Sequence, residues 1–444
     1  MKQRKRKPFM LICSLILSLT VTGCAGQSKP GNPTNASGGN IEELNITEPV
    51  TLKLYSHYAA INTPSDVEAL FGAVKKKHPN INIELVKGVK LEDMVASGDL
   101  PDLFAVPHGS MGDLISLGVV SDMNEFVTKY QVDMKRFVPQ AVDALKSYGK
   151  KGELYGIPYT LNYGVLIYNK DIFDRFGVSY PKDNMTWQQI IDLSKKLTRA
   201  DNGTQYIGFD PGTEKTMARG YSLGTMDAKG QPILDSESYK KVFNLLEQMY
   251  TIPGMVQNKK YSYGVDYFIK EQKLAMFPTW LAAISSRLPA LKEEGKGFNW
   301  DIAGHPIFDD KTSMGRETEF QSLVVPPNSK NKLAAYRVIL TMISDEAQTE
   351  MNKGNNLTIL NNPELRKHYA SNNDIYKGKN LEGVFKLNPA QAPIITEFDG
   401  ENYKYLREAA ADMILNNKDV NTVLRTAQEK ASKYVQDEKA RRGK

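Results

Sequence analysis

Cysteine is almost absent from this sequence, whose 444 residues include only Cys13 and Cys24. Cys13 lies in an apolar segment that we expect to be removed, so the mature chain would keep one thiol and form no internal disulfide. A zinc ribbon is excluded for the same reason. Hydrophobic residues make up 41% and charged residues 24% of the chain, which is typical of a soluble globular protein of two or three domains. The fold must therefore depend on a buried core.

Motifs for nucleotide binding and for metalloprotease chemistry are also missing. The sequence has no G-x-x-x-x-G-K-[ST], no G-x-G-x-x-G and no H-E-x-x-H, and its five histidines show no metal-ligand spacing. We therefore predict no cofactor and no metal site.

Two patterns suggest hydrolysis but are better explained otherwise. Residues 108–112 (HGSMG) are similar to a nucleophile elbow, but His108 stands where that motif needs glycine. We expect Ser110 to cap the following helix instead. Glu317 and Glu319 are an acidic pair of the kind that glycosidases use. Solvated surface charge is the favoured interpretation of that pair, so no catalytic residue is predicted.

Excess charge of one sign is confined to the start of the chain. The net charge is +6, and five of the 57 Lys and Arg fall within residues 2–7. Without them, 52 basic residues face 51 acidic ones. A nucleic-acid-binding protein would keep a basic surface in its folded body. We therefore expect no nucleic-acid partner.

The first 24 residues are typical of a bacterial lipoprotein signal. A basic segment precedes an apolar run of about 13 residues, which is too short to span a bilayer. The run ends in Val21-Thr22-Gly23-Cys24, which resembles a lipobox, where the cysteine receives a diacylglycerol. We expect residues 1–23 to be cleaved, Cys24 to carry the lipid, and residues 24–49, rich in Gly, Ser, Thr and Asn, to form a flexible tether.

The body of the chain alternates between strand and helix patterns. Strands are predicted around residues 52–54, 81–85, 103–106, 274–277 and 320–325. Helices are predicted from Thr63 to Lys77, from Thr186, from Ser236, over residues 333–343, and over residues 403–415 and 420–434. The first strand, helix and second strand form a βαβ unit, which predicts a parallel sheet.

Four segments together resemble the extracellular solute-binding proteins of ABC importers, the family that includes maltose-binding protein. They are residues 90–104 (KLEDMVASGDLPDLF), residues 152–158 with 166–173 (GELYGIP and LIYNKDIF), Thr186-Trp187, and residues 268–280, which end in Thr279-Trp280. The resemblance spans residues 50–437. Gln272 departs from it by standing where the family usually has glycine.

The resemblance implies an α/β fold of two lobes joined by hinge crossings, with a ligand cleft between the lobes. The N-terminal lobe is expected to comprise residues 50–160 and 320–353, and the C-terminal lobe residues 161–319 and 354–444. The crossings are expected near residues 160–163 and 317–320. In open α/β sheets, ligands bind beyond the carboxyl ends of strands, and closure about a hinge would trap the solute.

Carbohydrate is the preferred solute, because sugars stack on aromatic rings and hydrogen-bond to amides and carboxylates. Trp280 is the strongest candidate, since the family often places a sugar-stacking tryptophan there. The other candidate ligand-binding residues stand at strand ends and crossings: His57, Tyr58, Pro107, His108, Gly109, Asn162, Tyr163, Glu319, Phe320 and Tyr403. Arg219 and Arg316 are candidates for pairing with a uronate carboxylate, and a surface position suits them equally.

The function implied is capture of a carbohydrate, such as an oligosaccharide, and its delivery to the membrane permease of an ABC importer. The protein would act as a monomer, anchored by lipid to the extracellular face of the cytoplasmic membrane, and would not be an enzyme. Two alternatives remain at this point: a binding protein for a peptide, polyamine or metal chelate, and a cell-surface polysaccharide hydrolase or lyase.

Overall fold

The computed structural model describes residues 46–441 except Ala59 and Ser313. The predicted signal, Cys24 and most of the predicted tether lie outside these residues. Within them, no helix combines the length and apolar character that a membrane span requires. The strands are β1 (Val50–Ser56), β2 (Ile81–Leu85), β3 (Leu103–Pro107), β4 (Ile157–Asn162), β5 (Gly164–Asn169), β6 (Arg199–Asp201), β7 (Thr204–Phe209), β8 (Leu274–Trp280), β9 (Trp300–Gly304), β10 (Met314–Gly315), β11 (Glu319–Val324), β12 (Leu357–Thr358) and β13 (Asn388–Pro389).

The helices lie between and after these strands. They are α1 (Pro64–Leu70), α2 (Gly72–Lys77), α3 (Leu91–Ser97), α4 (Met111–Ser116), α5 (Asn124–Lys129), α6 (Pro139–Lys146), α7 (Lys170–Phe176), α8 (Trp187–Leu197), α9 (Glu214–Gly220), α10 (Glu237–Tyr250), α11 (Gly264–Ile269), α12 (Leu281–Glu293), α13 (Lys332–Met342), α14 (Asp345–Lys353), α15 (Pro363–Arg366), α16 (Leu381–Phe385), α17 (Asp399–Asn416) and α18 (Val420–Arg441). Short 3-10 turns occupy His108–Ser110, Met134–Arg136 and Asp374–Tyr376.

The first sheet has six strands in the order β12-β4-β11-β3-β1-β2. β1 pairs in parallel with both β2 and β3, so the predicted βαβ unit is confirmed. β11 runs antiparallel between β3 and β4. Residues 103–106 of β3 are all buried, as the short apolar run predicts for a central strand.

The second sheet has five strands in the order β6-β7-β8-β5-β9. β8 pairs in parallel with β7 as far as Met276 and antiparallel with β5 as far as Trp280. The strand predicted over residues 274–277 is longer in the structure, where β8 continues through Pro278 to Trp280. Pro278 lies opposite Leu166 of β5, beyond the last residue that pairs with β7. A proline is tolerated where one side of a strand is unpaired.

Hydrogen-bonded caps begin several helices where the sequence predicts them. Thr63 and Thr186 form capping boxes with Asp66 and Gln189, and Ser236 accepts from the backbone N–H of Tyr239. The predicted helix from Thr63 to Lys77 is instead two helices, α1 and α2. They are separated at the buried residue Phe71, directly before Gly72, where glycine weakens helix continuation.

The lobe boundary departs in one place from the expected one. We expected residues from 354 onward in the C-terminal lobe, but β12 pairs with β4 at the edge of the first sheet. α15, which follows, packs on α14 and β12. α16 then packs on β9 of the second sheet, α17 packs on α9 and α10, and α18 packs on α10 and α17. The chain therefore makes a third passage between the sheets within residues 359–381.

Candidate functional site

The two main passages between the sheets lie side by side. β4 ends at Asn162 and β5 begins at Gly164, so Tyr163 alone separates the first sheet from the second. The return passage joins β9 to β11, and Glu319 at the start of β11 lies opposite Asn162. Thr318 Oγ1 donates to the backbone carbonyl of Asn162 over 3.4 Å. Motion of one sheet relative to the other would therefore act on this group of residues.

Asn162 connects three segments at this point. Its amide Nδ2 donates to Glu319 Oε2 over 3.1 Å, and its Oδ1 accepts from the backbone N–H of Ala282 in α12 over 3.1 Å. Glu319 is half-buried, and burial raises the pKa of its carboxyl, although the Asn162 hydrogen bond opposes that shift. An amide and a carboxylate that share a hydrogen bond are suited to binding sugar hydroxyl groups.

Trp280 ends β8 directly opposite Gly164 and is half-buried. The guanidinium carbon of Arg316 lies 4.1 Å from the centre of its ring. A Cβ atom at Gly164 would lie 3.0 Å from Arg316 Cβ and 3.1 Å from its Cδ. Glycine at this position therefore gives Arg316 room to reach the indole.

Arg219 forms a buried network with Glu317 and Tyr403. Its Nη1 lies 3.0 Å from Glu317 Oε2, and its Nε donates to the Tyr403 hydroxyl over 3.1 Å. Burial is the largest influence on the pKa of Arg219 and acts to lower it, but Glu317, Tyr403 and Asp399 together outweigh burial, so that pKa is raised. Burial raises the pKa of Tyr403 to about 12. Lys215, also on α9, places Nζ 4.9 Å from the centre of the Tyr403 ring.

His108 stacks on Phe320, with ring centres 4.7 Å apart and planes 18° from parallel. Burial, followed by the positive charges of Arg219, Lys215 and Arg316, lowers the pKa of His108 to about 3. The imidazole is therefore neutral at physiological pH. Its buried Nδ1 has no hydrogen-bond partner among the described residues. His108 follows β3 of the first sheet, so both sheets contribute to the group.

These residues form one contiguous group, which we call the cleft cluster: His108, Asn162, Lys215, Arg219, Trp280, Arg316, Glu317, Glu319, Phe320 and Tyr403. It contains six of the eleven ligand-binding candidates named from the sequence, together with the two uronate candidates, Arg219 and Arg316. The group consists of aromatic rings beside charged and amide side chains, which is the composition of a site for a polar solute with apolar faces.

The other candidates lie beside the cleft cluster or apart from it. Tyr58 is buried and donates to Asn356 Oδ1 over 3.2 Å, and burial with the Glu319 charge raises the pKa of its hydroxyl. The Tyr163 ring packs edge-on against Phe385, with centres 5.7 Å apart. His57 is exposed and shares a 3.1 Å hydrogen bond with the Tyr55 hydroxyl. The contacts of Tyr163 and His57 are those of packing and surface residues.

Two interpretations of this region from the sequence were wrong. Ser110 makes no side-chain cap to α4, because His108–Ser110 forms a 3-10 turn that leads into that helix. Glu317 is not a solvated charge, since its side chain is 5% exposed and pairs with Arg219, whose side chain is 3% exposed. A surface position for Arg219 is thereby excluded.

Sequence reasoning missed Lys215 and the paired role of Glu317. The helix that carries Lys215 and Arg219, α9, is only seven residues long, too short for a clear apolar period. One available signal was the dense charge of residues 316–319 (RETE) immediately before an apolar strand.

The sequence matches the family of bacterial extracellular solute-binding proteins over residues 60–349, well over half of the chain. The chain belongs to this family. Similar relatives include an uncharacterized ABC transporter extracellular-binding protein of Pyrococcus horikoshii, 25% identical over 199 residues, with 42% of each chain covered. The melibiose/raffinose/stachyose-binding protein MelE of Bacillus subtilis is 25% identical over 270 residues, which cover 60% of this chain and 55% of that protein. The matched segment thus spans about half the length of these relatives.

Solved structures share the fold of this solute-binding protein. An ABC substrate-binding protein of Listeria monocytogenes in complex with cycloalternan aligns with a TM-score of 0.70 and 20% identity, covering 87% of this chain and 99% of that one. A sugar transporter of Rhizobium etli in an open conformation aligns with a TM-score of 0.69 and 19% identity. The alignment covers 86% of this chain and 99% of that one. The two-lobed α/β fold predicted from the sequence is confirmed by these alignments.

Proposed function

We propose that this protein captures a carbohydrate, such as an oligosaccharide, at the cleft cluster and delivers it to the permease of an ABC importer. The observation that carries the proposal is the position of Trp280, half-buried at a strand end beside the hydrogen-bonded pair of Asn162 and Glu319. A pyranose ring would place its C–H face on the indole and its hydroxyl groups on the amide and carboxylate. Arg316 covers one face of the indole, so the sugar would stack on the other.

Relatives and structural neighbours support this solute class. MelE is named for melibiose, raffinose and stachyose, and a second Bacillus subtilis relative is an arabinooligosaccharide-binding protein, 24% identical over 264 residues. One further neighbour, CpMnBP1, has mannobiose bound and aligns with a TM-score of 0.66 and 22% identity.

The proposed role is capture and not turnover. Arg219 neutralises Glu317, and Glu319 is hydrogen-bonded to Asn162, so both carboxylates have structural partners. The protein would act as a monomer at the extracellular face of the cytoplasmic membrane. A lipid on Cys24 would hold it there, a proposal supported by the resemblance of residues 21–24 to a lipobox and by the Gly-, Ser-, Thr- and Asn-rich composition of the segment that follows.

A thermal-shift screen with neutral and acidic oligosaccharides, peptides, polyamines and metal chelates tests the solute class. A ligand that binds the folded state raises stability by RT ln(1 + [L]/Kd), about 2.7 kcal/mol at 100 times Kd. We expect oligosaccharides to raise the melting temperature. A shift with peptides, polyamines or chelates alone would refute the proposal. Shortened saccharides in the incubated samples would instead identify a hydrolase or lyase.

The anchor is tested in cells with Cys24→Ala. We expect the variant to be released into the medium or to remain unprocessed, whereas the parent chain fractionates with membranes after processing. The matched control is Cys13→Ala, which removes a thiol from the predicted signal and should leave anchoring intact. Processed, membrane-bound Cys24→Ala protein would show that this cysteine is not the lipid site.

A further inference from the structure

Two cations of the cleft cluster rest on aromatic rings and form no ion pair within the described part of the chain. Arg316 lies over Trp280 at 4.1 Å, and Lys215 lies over Tyr403 at 4.9 Å. Arg316 Nε is also buried without a hydrogen-bond partner among those residues. The two cations belong to one site, because Arg219 contacts the same Tyr403 ring and pairs with Glu317, the residue next to Arg316.

The nearby carboxylates have other partners. Glu317 pairs with Arg219, and Glu319 accepts from the amide of Asn162. Asp399 accepts from the Thr396 hydroxyl over 3.0 Å and from the Thr396 backbone N–H over 3.2 Å. A half-buried guanidinium without a fixed anionic partner retains its ability to bind a carboxylate through paired N–H groups.

We propose that the solute is an acidic oligosaccharide, and that Arg316, which lies over one face of the Trp280 ring, binds the carboxylate of a uronate unit next to the sugar that stacks on the other face. This inference rests on the proposed carbohydrate-binding function and names the class of sugar. Lys215, at the Tyr403 side of the cleft cluster, supplies a second positive charge for the same anion or for the next uronate along the chain. Contact with the indole restricts the Arg316 side chain, so less side-chain freedom is lost when the carboxylate binds.

A carboxylate fits this site better than a phosphate. The carboxylate is planar and carries one charge, which matches a single guanidinium fork. A phosphate monoester approaches two negative charges at neutral pH, and the Glu319 carboxyl beside Asn162 would repel it more strongly. The indole and the neutral His108 side chain favour a ligand that is mostly a sugar ring with one localised charge.

The first experiment is isothermal titration of the wild-type protein with matched pairs of ligands. The acidic members are oligogalacturonates, alginate oligosaccharides and glucuronoxylo-oligosaccharides, and each is compared with its carboxyl-reduced form. A sugar phosphate is included as the other source of an anion. We expect at least one acidic oligosaccharide to bind about 30-fold or more tightly than its reduced form, the effect of removing a partner from a charged hydrogen-bonded pair.

Each other outcome overturns a defined part of the argument. Equal affinity for the acidic and reduced forms, or binding of neutral sugars alone, would overturn the acidic-sugar inference and leave carbohydrate capture intact. Binding of the sugar phosphate alone would also overturn it. Failure of every saccharide to bind would overturn both the inference and the proposed function.

The second experiment assigns the selectivity to Arg316. We expect Arg316→Gln to weaken binding of the acidic ligand about 30-fold or more and to change binding of its reduced form much less. Arg316→Lys retains the charge without the planar fork and should give an intermediate loss. The matched control is Arg199→Gln, since Arg199 also lies over an aromatic ring, Phe176, at 4.7 Å but on β6 at the edge of the second sheet. Equal losses of affinity for the acidic and the carboxyl-reduced ligands would show that Arg316 does not bind the carboxylate.

Discussion

Arg219 Nη1 and Glu317 Oε2 lie 3.0 Å apart, in side chains that are 3% and 5% exposed. Arg219 is on α9, and Glu317 is on the passage that returns to the first sheet. The pair therefore connects α9, which packs on α10 and α17, to one of the passages about which the lobes would rotate. Tyr403 of α17 completes the network through its hydroxyl group.

Removing either partner of this pair should lower the free energy of unfolding much more than removing a surface ion pair. Arg219→Met leaves the Glu317 carboxylate buried without its cation, and Glu317→Gln leaves the guanidinium without its anion. We expect each change to lower the free energy of unfolding by about 3–5 kcal/mol. Urea denaturation of both variants and of the double variant measures the cost and the coupling between the two changes.

The surface pair of Lys367 and Glu364 is the control, since its 2.7 Å contact joins side chains that are 66% and 78% exposed. Its disruption should cost about 0–1 kcal/mol. A double variant of Arg219 and Glu317 that loses the full sum of the single losses would show that the two residues do not stabilise each other.

Trp280 and Trp300 make a matched pair for testing the stacking role. Each carries a cation over its ring, Arg316 at 4.1 Å and Lys379 at 4.5 Å, but Trp300 is buried in β9. We expect Trp280→Ala to weaken binding of the sugar by about 2 kcal/mol or more, roughly 30-fold in Kd. Trp300→Ala should instead lower folding stability by about 3–5 kcal/mol.

Titration calorimetry beside thermal melting separates these effects. A Trp280→Ala variant with unchanged affinity and a much lower melting temperature would make Trp280 a packing residue. The sugar would then be expected to stack on Tyr403, in the cleft cluster, or on Tyr58, beside it.

The sequence predicted the parts of the fold that depend on local chemistry. Thr63, Thr186 and Ser236 cap helices as expected because a cap is decided by a few adjacent residues. The parallel pairing of β1 and β2 followed from the strand, helix and strand pattern, because a helical crossover favours parallel neighbouring strands.

The sequence pattern did not predict pairings between residues that are far apart in the chain. The partner of Glu317 is 98 residues away in the chain, and no local pattern indicates that both charges are buried. β12 is only two residues long and pairs with β4 nearly 200 residues earlier, so its return to the first sheet depends on tertiary packing. His108 and Phe320 were each predicted at the cleft, but only the pairing of β3 with β11 brings their rings together.

Gly164→Ala should displace Arg316 from Trp280. The added methyl group would lie 3.0 Å from Arg316 Cβ and 3.1 Å from its Cδ, so the arginine side chain must move. We expect a loss of acidic-sugar affinity of about tenfold, because misplacement of a positioned group weakens its contact. Titration calorimetry measures the affinity of the variant, and its melting temperature shows whether the substitution also changes folding stability.

Gly400→Ala is the control for this change. A Cβ atom at Gly400, on the exposed surface of α17, would meet nothing within 4 Å. Alanine should therefore stabilise the helix by up to about 1 kcal/mol and leave affinity unchanged. Unchanged affinity in Gly164→Ala would show that Arg316 tolerates the displacement or does not contact the sugar.

Glu214 should make stability depend on pH in a direction opposite to that of most carboxylates. It begins α9, is 4% exposed, and its Oε1 has no hydrogen-bond partner among the described residues. Burial raises its pKa from 4.5 to about 7, against the opposing effects of a backbone hydrogen bond and of Arg407 and Lys215. The folded state therefore holds this proton more tightly than the unfolded state does. The associated stability is fully present below pH 4.5 and is lost as the pH rises through about 7.

Glu214→Gln removes this titration and should stabilise the protein increasingly as the pH rises. The increase in the free energy of unfolding over the wild type should be larger at pH 8 than at pH 5. The difference between the two pH values should be on the order of 3 kcal/mol at most. Buried His108 and His305, whose pKa values burial lowers to about 3, act in the opposite direction. They are present in both proteins, so their effect cancels in the difference between variant and wild type. Urea denaturation of both at pH 5 and pH 8 provides the measurement, and a difference that is the same at both values would show that Glu214 ionises in the folded protein as it does in the unfolded chain.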